Sequence, residues 1–259
     1  MMPRGLPWLF VCAVACPSGP PNSSEAHADE PSALARSSSP VIVELFTSEG
    51  CSSCPPADAL LADLARSNPA IETLEFHIDY WDALGWPDRF SSPDYTARQR
   101  SYARSFGVSE LYTPQMIVDG ADAFAGSNAN RARTSITQAL GRPPRARVSV
   151  RTSASGPGAI AIAYDIVGAP SGATLTLVAI EHSASSAVQA GENSGRMLYH
   201  TNVVRALRVV PLAGSRGSAT LLVPASLHGA LGEVVAYVQS AGDGAGLPVL
   251  GATSAPLPM

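Results

Sequence analysis

The stretch Val41-Ile42-Val43-Glu44-Leu45-Phe46-Thr47-Ser48-Glu49-Gly50-Cys51-Ser52-Ser53-Cys54-Pro55-Pro56 decides how this chain is read. Val41 to Phe46 is a short apolar run rich in β-branched residues, the pattern of a buried strand. Thr47 to Cys51 contains Gly50 and reads as a turn. From Cys54 to Arg66 the periodicity becomes helical: Leu60, Leu61 and Leu64 fall on one stripe, with Asp58 and Asp63 outside it. Pro55 and Pro56 fit a helix only in its first turn, where a missing N–H costs nothing, so the helix starts at or just before Cys54. A Cys-x-x-Cys pair thus sits between a buried strand and a helix N-terminus. Unsatisfied N–H groups and the positive end of the helix dipole favour thiolate there. Cys51, the outer residue, is the expected nucleophile, and Cys54 the resolving thiol. Ser52 and Ser53 can donate hydrogen bonds to sulfur, whereas the nearby Glu49 carboxylate disfavours thiolate.

Outward from this pair, Asn68-Pro69 ends the helix and Ile71 to Tyr80 is a second strand. Ser91 or Ser92 caps a helix that opens with Pro93-Asp94 and runs to about Phe106. Gln115–Asp119 and Ala121–Ala125 flank Asp119-Gly120, a hairpin signal, and Ser127 or Asn128 caps a last helix to Leu140. The order β-α-β-α-β-β-α over residues 40–141 predicts an α/β, thioredoxin-like domain. Gly141-Arg142-Pro143-Pro144 then breaks the chain. Residues 147–259 show no helical period; the runs Val148–Val150, Ala159–Val167, Ala173–His182, Arg205–Pro211, Ala219–Val223 and Glu233–Gln239 alternate or are apolar, with Gly, Ser and Pro turns between them, as in a sandwich of about seven strands. They predict a separate all-β, sandwich-like domain.

Further features surround the pair. Glu44 interrupts the first strand seven residues before Cys51. It is either a buried carboxylate able to exchange a proton with Cys54, or a residue that lies at a strand edge or pairs with an arginine. Thr113-Pro114 precedes a strand, where a thioredoxin-like order places a cis-proline facing the thiols. Pro114 and Thr113 are therefore expected to hold a partner strand. The aromatic segment containing Tyr80, Trp81 and Trp86 follows a strand end and is either a wall for a substrate groove or a packed loop.

The 259 residues, 46% hydrophobic and 15% charged, suit a globular protein long enough for two cores. A net charge of -4 provides no electrostatic footprint for nucleic acid, so none is expected as a partner. Every basic residue is Arg, so no lysine ammonium tunes a thiol. Residues 1–16 read as an export signal: Arg4, then the apolar run Leu6 to Ala15, then Ala13-Val14-Ala15 as a cleavage site. Cys16 follows directly, so a lipid anchor at Cys16 is the alternative processing outcome. Residues 17–39, rich in Pro, Ser, Ala and Gly, read as a disordered linker. Either route predicts a periplasmic or secreted protein, or a membrane-anchored lipoprotein, in an oxidising compartment. Of four cysteines, only Cys51 and Cys54 then remain in the folded part. A zinc site needs two more ligands; His77, His182, His200 and His228 are present, but no second Cys-x-x-Cys or His-x-x-x-His is. No metal ligand set and no cofactor is assigned.

The residues Glu44 to Asp58, with the Cys51-Ser52-Ser53-Cys54-Pro55-Pro56 core, resemble the signature of a secreted, thioredoxin-like bacterial family catalogued as domain of unknown function 1223. His77-Ile78-Asp79-Tyr80-Trp81-Asp82, Leu84-Gly85-Trp86, Thr96 to Arg100 and Tyr112 to Met116 carry the same resemblance. So do Gly191-Glu192-Asn193 and Thr201 to Arg205 in the second half. The resemblance implies a thioredoxin-like fold followed by a β-rich domain, and names no substrate.

The expected activity is thiol–disulfide exchange on protein thiols or disulfides, with Cys51, Cys54, Pro114 and Glu44 as the working residues. One alternative is soft-metal handling, such as copper delivery, through the same thiols and Met116. Another is a non-enzymatic binding module using Glu192, Asn193, His200, Asn202 and Arg205 as a polar patch.

Overall fold

A computed structural model of the chain describes residues 39–224, 227, 230–242 and 244–257. The signal expected over 1–16, with Cys16, and the linker expected over 17–39, apart from Ser39, lie outside the described residues. The first half follows the order expected from its periodicities. Strand β1 (Val41–Thr47) leads through the Cys turn into α1 (Pro55–Ser67), and β2 (Ile71–His77), α2 (Pro93–Ser105), β3 (Gln115–Val118), β4 (Asp122–Ala125) and α3 (Ala129–Leu140) follow. Helix α1 has Cys54 as its N-cap and the two prolines in its first turn; Ser92 and Asn128 cap α2 and α3 with their side-chain oxygens. Asp119 and Gly120 both have positive φ (52° and 67°), the conformation a two-residue hairpin turn demands. A Cβ on Gly120 would lie 2.0 Å from the Leu247 carbonyl oxygen, so glycine is also required there by close approach.

The second half contributes β5 (Arg147–Ala154), β6 (Ala159–Val167), β7 (Thr174–Ala187), β8 (Met197–Pro211), β9 (Arg216–Leu222), β10 (Glu233–Gln239) and β11 (Val249–Pro256). Their arrangement overturns the expected fold class. The chain is not a helix-flanked thioredoxin domain followed by a separate sandwich. One eight-stranded mixed sheet, ordered β11-β10-β7-β8-β2-β1-β3-β4, crosses both halves, and β5-β6-β9 form a small second sheet. The described chain is mostly β, with three α-helices against eleven strands. None of its described helices is long and apolar enough to cross a membrane.

The physical reason lies at the free edge of β2, whose unpaired backbone groups offer a site for another strand. Strand β8 takes it in parallel, through a register of one pair, Glu75 opposite Val203. So short a ladder is supplemented by other bonds: Tyr95 donates its hydroxyl to the Val204 carbonyl (2.9 Å), and the Thr201 N–H donates to Glu75 Oε2 (2.7 Å). Asn202 Nδ2 donates to Thr73 Oγ1 (2.9 Å) from a residue with φ 54°, where β8 bends. Apolar packing across this seam joins Ile42, Phe46, Phe76 and Tyr102 to Val178, Ile180, Val204 and Tyr237 in one cluster. Burying each such side chain stabilises the junction by roughly 1.5–3 kcal/mol, which outweighs the single register pair. A second cluster, including Val43, Leu45, Leu61, Met116 and Ile136, holds α1 and α3 on the sheet. A third, including Ile162, Leu177, Leu221 and Val234, seals the small sheet against the large one.

Candidate functional site

The Cys pair lies at the C-terminal end of β1, where the chain leaves the sheet. Cys51 and Cys54 are joined by a disulfide with their Cα atoms 5.4 Å apart, and both residues are fully buried, whereas Ser52 and Ser53 are exposed. The turn is closed by the Cys51 N–H to the Ser48 carbonyl (3.2 Å) and the Cys54 N–H to the Cys51 carbonyl (3.1 Å). Ser53 Oγ is 3.3 Å from Cys51 Sγ, as a hydroxyl placed to hydrogen-bond sulfur would be.

Glu44 does not sit beneath the thiols. Successive strand side chains alternate faces, and Glu44 shares its face with Ile42 and Phe46, while Val43 and Leu45 pack with α1. Its carboxylate is fixed by Arg98 Nε (2.6 Å) and Nη2 (2.7 Å) and by the hydroxyls of Tyr102 (2.7 Å) and Tyr237 (3.2 Å). This is the arginine pairing, formed in the core. The buried carboxylate on the α1 side is Asp58, one helical turn after Cys54, whose N–H donates to the Cys54 carbonyl (3.1 Å). Asp58 was expected outside the apolar stripe; instead it is buried and accepts from Thr47 Oγ1 (2.7 Å). Burial, then the Glu75 charge, push its pKa up to about 7, against the influence of His200, Thr47 and His77.

Pro114 and the aromatic residues are brought to the same end of the sheet. The Thr113–Pro114 bond is cis. A Cβ built on Gly126 would meet Leu45 (2.7 Å), Pro114 (3.0 Å) and Ala57 (3.1 Å), so Pro114 borders the first turn of α1. Trp81 donates its indole N–H to Thr113 Oγ1 (2.8 Å) and packs over Gly50, beside Cys51. The Tyr80 hydroxyl lies among Gln99 and Thr113, and burial raises its pKa. Trp86 donates to Glu49 Oε2 (2.7 Å) and packs on Gly191. Met116 is buried in the core of the α1 face.

The polar residues of the second half do not form one patch. Asn193, fully buried, donates its amide to the carbonyls of Glu49 (2.8 Å) and Cys51 (3.0 Å) and accepts from Arg196 Nη1 (2.7 Å). Glu192 accepts the Ser52 N–H (3.0 Å). The β7–β8 loop, residues 188–196, thus lies across the Cys turn. Asn202 is at the β2 seam, and Arg205 pairs with Glu181 (3.4 Å).

His200 is different again. It is buried below the turn with Glu49, Glu75, His77 and Asp88, a group that periodicity could not assemble because it comes from β2, β8 and two loops. His77 Nδ1 is 2.6 Å from Asp88 Oδ2, and His200 Nδ1 is 2.7 Å from Glu75 Oε1. Burial alone would lower the His200 pKa; Glu75 and Glu49 more than offset it, to about 9. Burial opposes ionisation of Glu75 and Asp88 too, yet His200 and His77 hold Glu75 at about 2, and His77 holds Asp88 at about 2.

Comparison with known proteins gives no match among curated proteins. Among solved structures, a crystal structure of an Agrobacterium tumefaciens protein is similar, with 27% identity and a TM-score of 0.62 over 84% of this chain and 93% of that one. A yeast GGA1 GAE domain covers 45% of this chain at 15% identity with a TM-score of 0.19, which carries no argument. A family model described as protein of unknown function (DUF1223) matches residues 42–239, and the chain belongs to that family.

Proposed function

We propose that this protein is an exported thiol–disulfide oxidoreductase acting on protein thiols through Cys51 and Cys54. The observation that supports it is the disulfide between two residues at a strand–helix junction, Cys51 in the turn and Cys54 at the helix cap. In the reductive half of the cycle, a partner thiolate attacks Cys51 Sγ, the Cys51–Cys54 bond breaks, and Cys54 leaves as thiolate. A second partner thiol then displaces Cys51, so the partner gains a disulfide and this protein two thiols. The helix N-terminus favours the thiolate that forms at Cys54, and Asp58 is the buried carboxylate nearest along the helix to exchange its proton. Thr113, Pro114, Trp81 and Tyr80 border the turn on the side where a partner segment would lie.

Trapping tests this reading. A Cys54→Ser variant retains a free Cys51 and is expected to accumulate mixed disulfides with partner proteins in the exported fraction, which a Cys51→Ser/Cys54→Ser variant does not. An untrapped Cys54→Ser protein, together with wild type that neither reduces nor oxidises a model dithiol or disulfide, would sink it.

A further inference from the structure

The group below the Cys turn contains a feature that thiol exchange does not use. Glu49 Oε1, His77 Nε2 and His200 Nε2 are buried side-chain atoms without a hydrogen-bond partner. They do not point into apolar packing. His77 Nε2 is 3.3 Å from Glu75 Oε1, and His200 Nε2 is 3.3 Å from Glu49 Oε1. One ligand atom from each of Glu75, His77 and His200 lies within 4.8 Å of the others. The two imidazoles are set edge to face with centroids 4.6 Å apart.

We propose that this group is a binding site for a divalent first-row transition ion, zinc foremost, held by His77, His200 and Glu75 with Glu49 beside them. Three observations carry it. First, the donor set is two imidazoles and carboxylates, which suits zinc and its neighbours rather than calcium or magnesium. Second, metal–ligand bonds of about 2.0–2.1 Å in tetrahedral geometry separate neighbouring donor atoms by about 3.3 Å, the spacing of His77 Nε2 from Glu75 Oε1. Third, the ring nitrogens opposite are already held as metal-bound histidines require. His77 Nδ1 is on Asp88, so Nε2 is left to face the site; His200 Nε2 lies 3.3 Å from Glu49 Oε1, so Nδ1 is left on the side of Glu75.

Charge explains why a cation belongs there. Glu49, Glu75 and Asp88 bring three carboxylates to a site that is at most 4% exposed at any of these residues or the two histidines. With neutral imidazoles, the His77 Nε2 lone pair would face a Glu75 oxygen lone pair across 3.3 Å, a repulsive contact. Two imidazolium ions would supply the same charge as one divalent ion. Their N–H groups at His77 Nε2 and His200 Nε2 would face the Glu75 and Glu49 oxygens across 3.3 Å, outside good hydrogen-bond geometry. A metal ion bonded to His77 Nε2 and Glu75 Oε1 would take up both lone pairs.

The inference does not depend on the thiol chemistry, and its test is designed to separate the two. The full chain with all four cysteines, Cys12, Cys16, Cys51 and Cys54, replaced by serine, stripped with chelator and dialysed, is titrated with zinc chloride and with cobalt chloride. One equivalent of zinc is expected to bind, and cobalt to give visible d–d bands without thiolate charge-transfer absorption. Asp88→Asn, which leaves the ligands in place, is expected to weaken binding about 10- to 100-fold, and His77→Ala to abolish it. No retained zinc and no cobalt band in the Cys-free chain overturns the proposal, whether or not the wild type exchanges thiols. Unchanged zinc affinity in folded His77→Ala also overturns it; if that variant does not fold, the titration of the Cys-free chain decides.

Discussion

Because both cysteines are fully buried, a reductant can reach the disulfide only when its cover opens, and Asn193 is the residue that most directly holds that cover down. Asn193→Ala removes the two amide bonds to the Glu49 and Cys51 carbonyls and the Arg196 bond. Each is worth a net 0.5–1.5 kcal/mol, so the closed state loses about 2–3 kcal/mol once water replaces part of them in the opened loop. At about 1.4 kcal/mol per tenfold, the open population rises roughly 30- to 100-fold. Reduction by dithiothreitol, followed as thiol release under excess reductant, is proportional to that population when closing is fast. Asn193→Ala should therefore be reduced about 30- to 100-fold faster than wild type. The loop opens without unfolding the sheet, so the urea dependence of the reduction rate should be far shallower than that of global unfolding. A rate within about threefold of wild type, or one whose urea dependence matches global unfolding, would refute the assignment of residues 188–196 as the cover.

Other perturbations read other parts of the structure. Arg98→Met strands the Glu44 carboxylate among buried tyrosines and should lower unfolding stability by about 3–5 kcal/mol, with Glu44→Gln/Arg98→Met recovering part of it; additive losses in urea melts would show that the pair is not coupled. Glu72 has its pKa pushed up to about 7 by burial and by the Glu233 charge. Because the folded value exceeds the unfolded one, its contribution is fully present below pH 4.5 and lost as pH rises through 7. Wild type should therefore lose stability across that window with a slope of at most about 1.4 kcal/mol per pH unit, and Glu72→Gln should flatten it. Chemical denaturation at stepped pH checks this, and identical profiles would exclude Glu72 as the source.

What could be read from the sequence and what could not divides along the range of the interactions concerned. Element positions in the first half follow from local signals: two prolines can only start α1, Asp119-Gly120 can only turn, and Ser92 caps α2. The Cys turn was legible for the same reason. Strand pairing is not local. The runs over 174–182 and 233–239 announce strands, but nothing in a period of two says whether they pair with each other alone or continue a sheet begun a hundred residues earlier. Here they continue it, and the separate sandwich disappears. The leucine stripe alone leaves Asp58 on the outer face of α1, although Cys54, Asp58 and Leu61 also share a face at helical spacing and all are buried. Glu44 could be narrowed to two roles from its strand, and only Arg98, 54 residues away, chose between them.

The sheet shared by both halves is also what completes the site. Were the second half a separate domain, the Cys turn would rest on β1, α1 and the aromatic loop, with Glu75 at an open sheet edge. Joining β8 to β2 buries Glu75 against His200 and the Thr201 N–H, and carries the β7–β8 loop over the disulfide, where Asn193 and Glu192 occupy the Cys51 carbonyl and the Ser52 N–H. Those backbone groups belong to the Cys turn itself. The same strand therefore supplies a floor of charged residues and a cover, and neither could be placed on the turn by the first half alone. Changes at the seam should then act on the Cys pair without touching it. Asn202→Ala removes the bond to Thr73 and the residue that tolerates φ 54°, and should accelerate dithiothreitol reduction as Asn193→Ala does. If reduction is unchanged while the seam is measurably weakened in urea melts, cover and seam are independent, and the second half does not complete the site in the way the hydrogen bonds indicate.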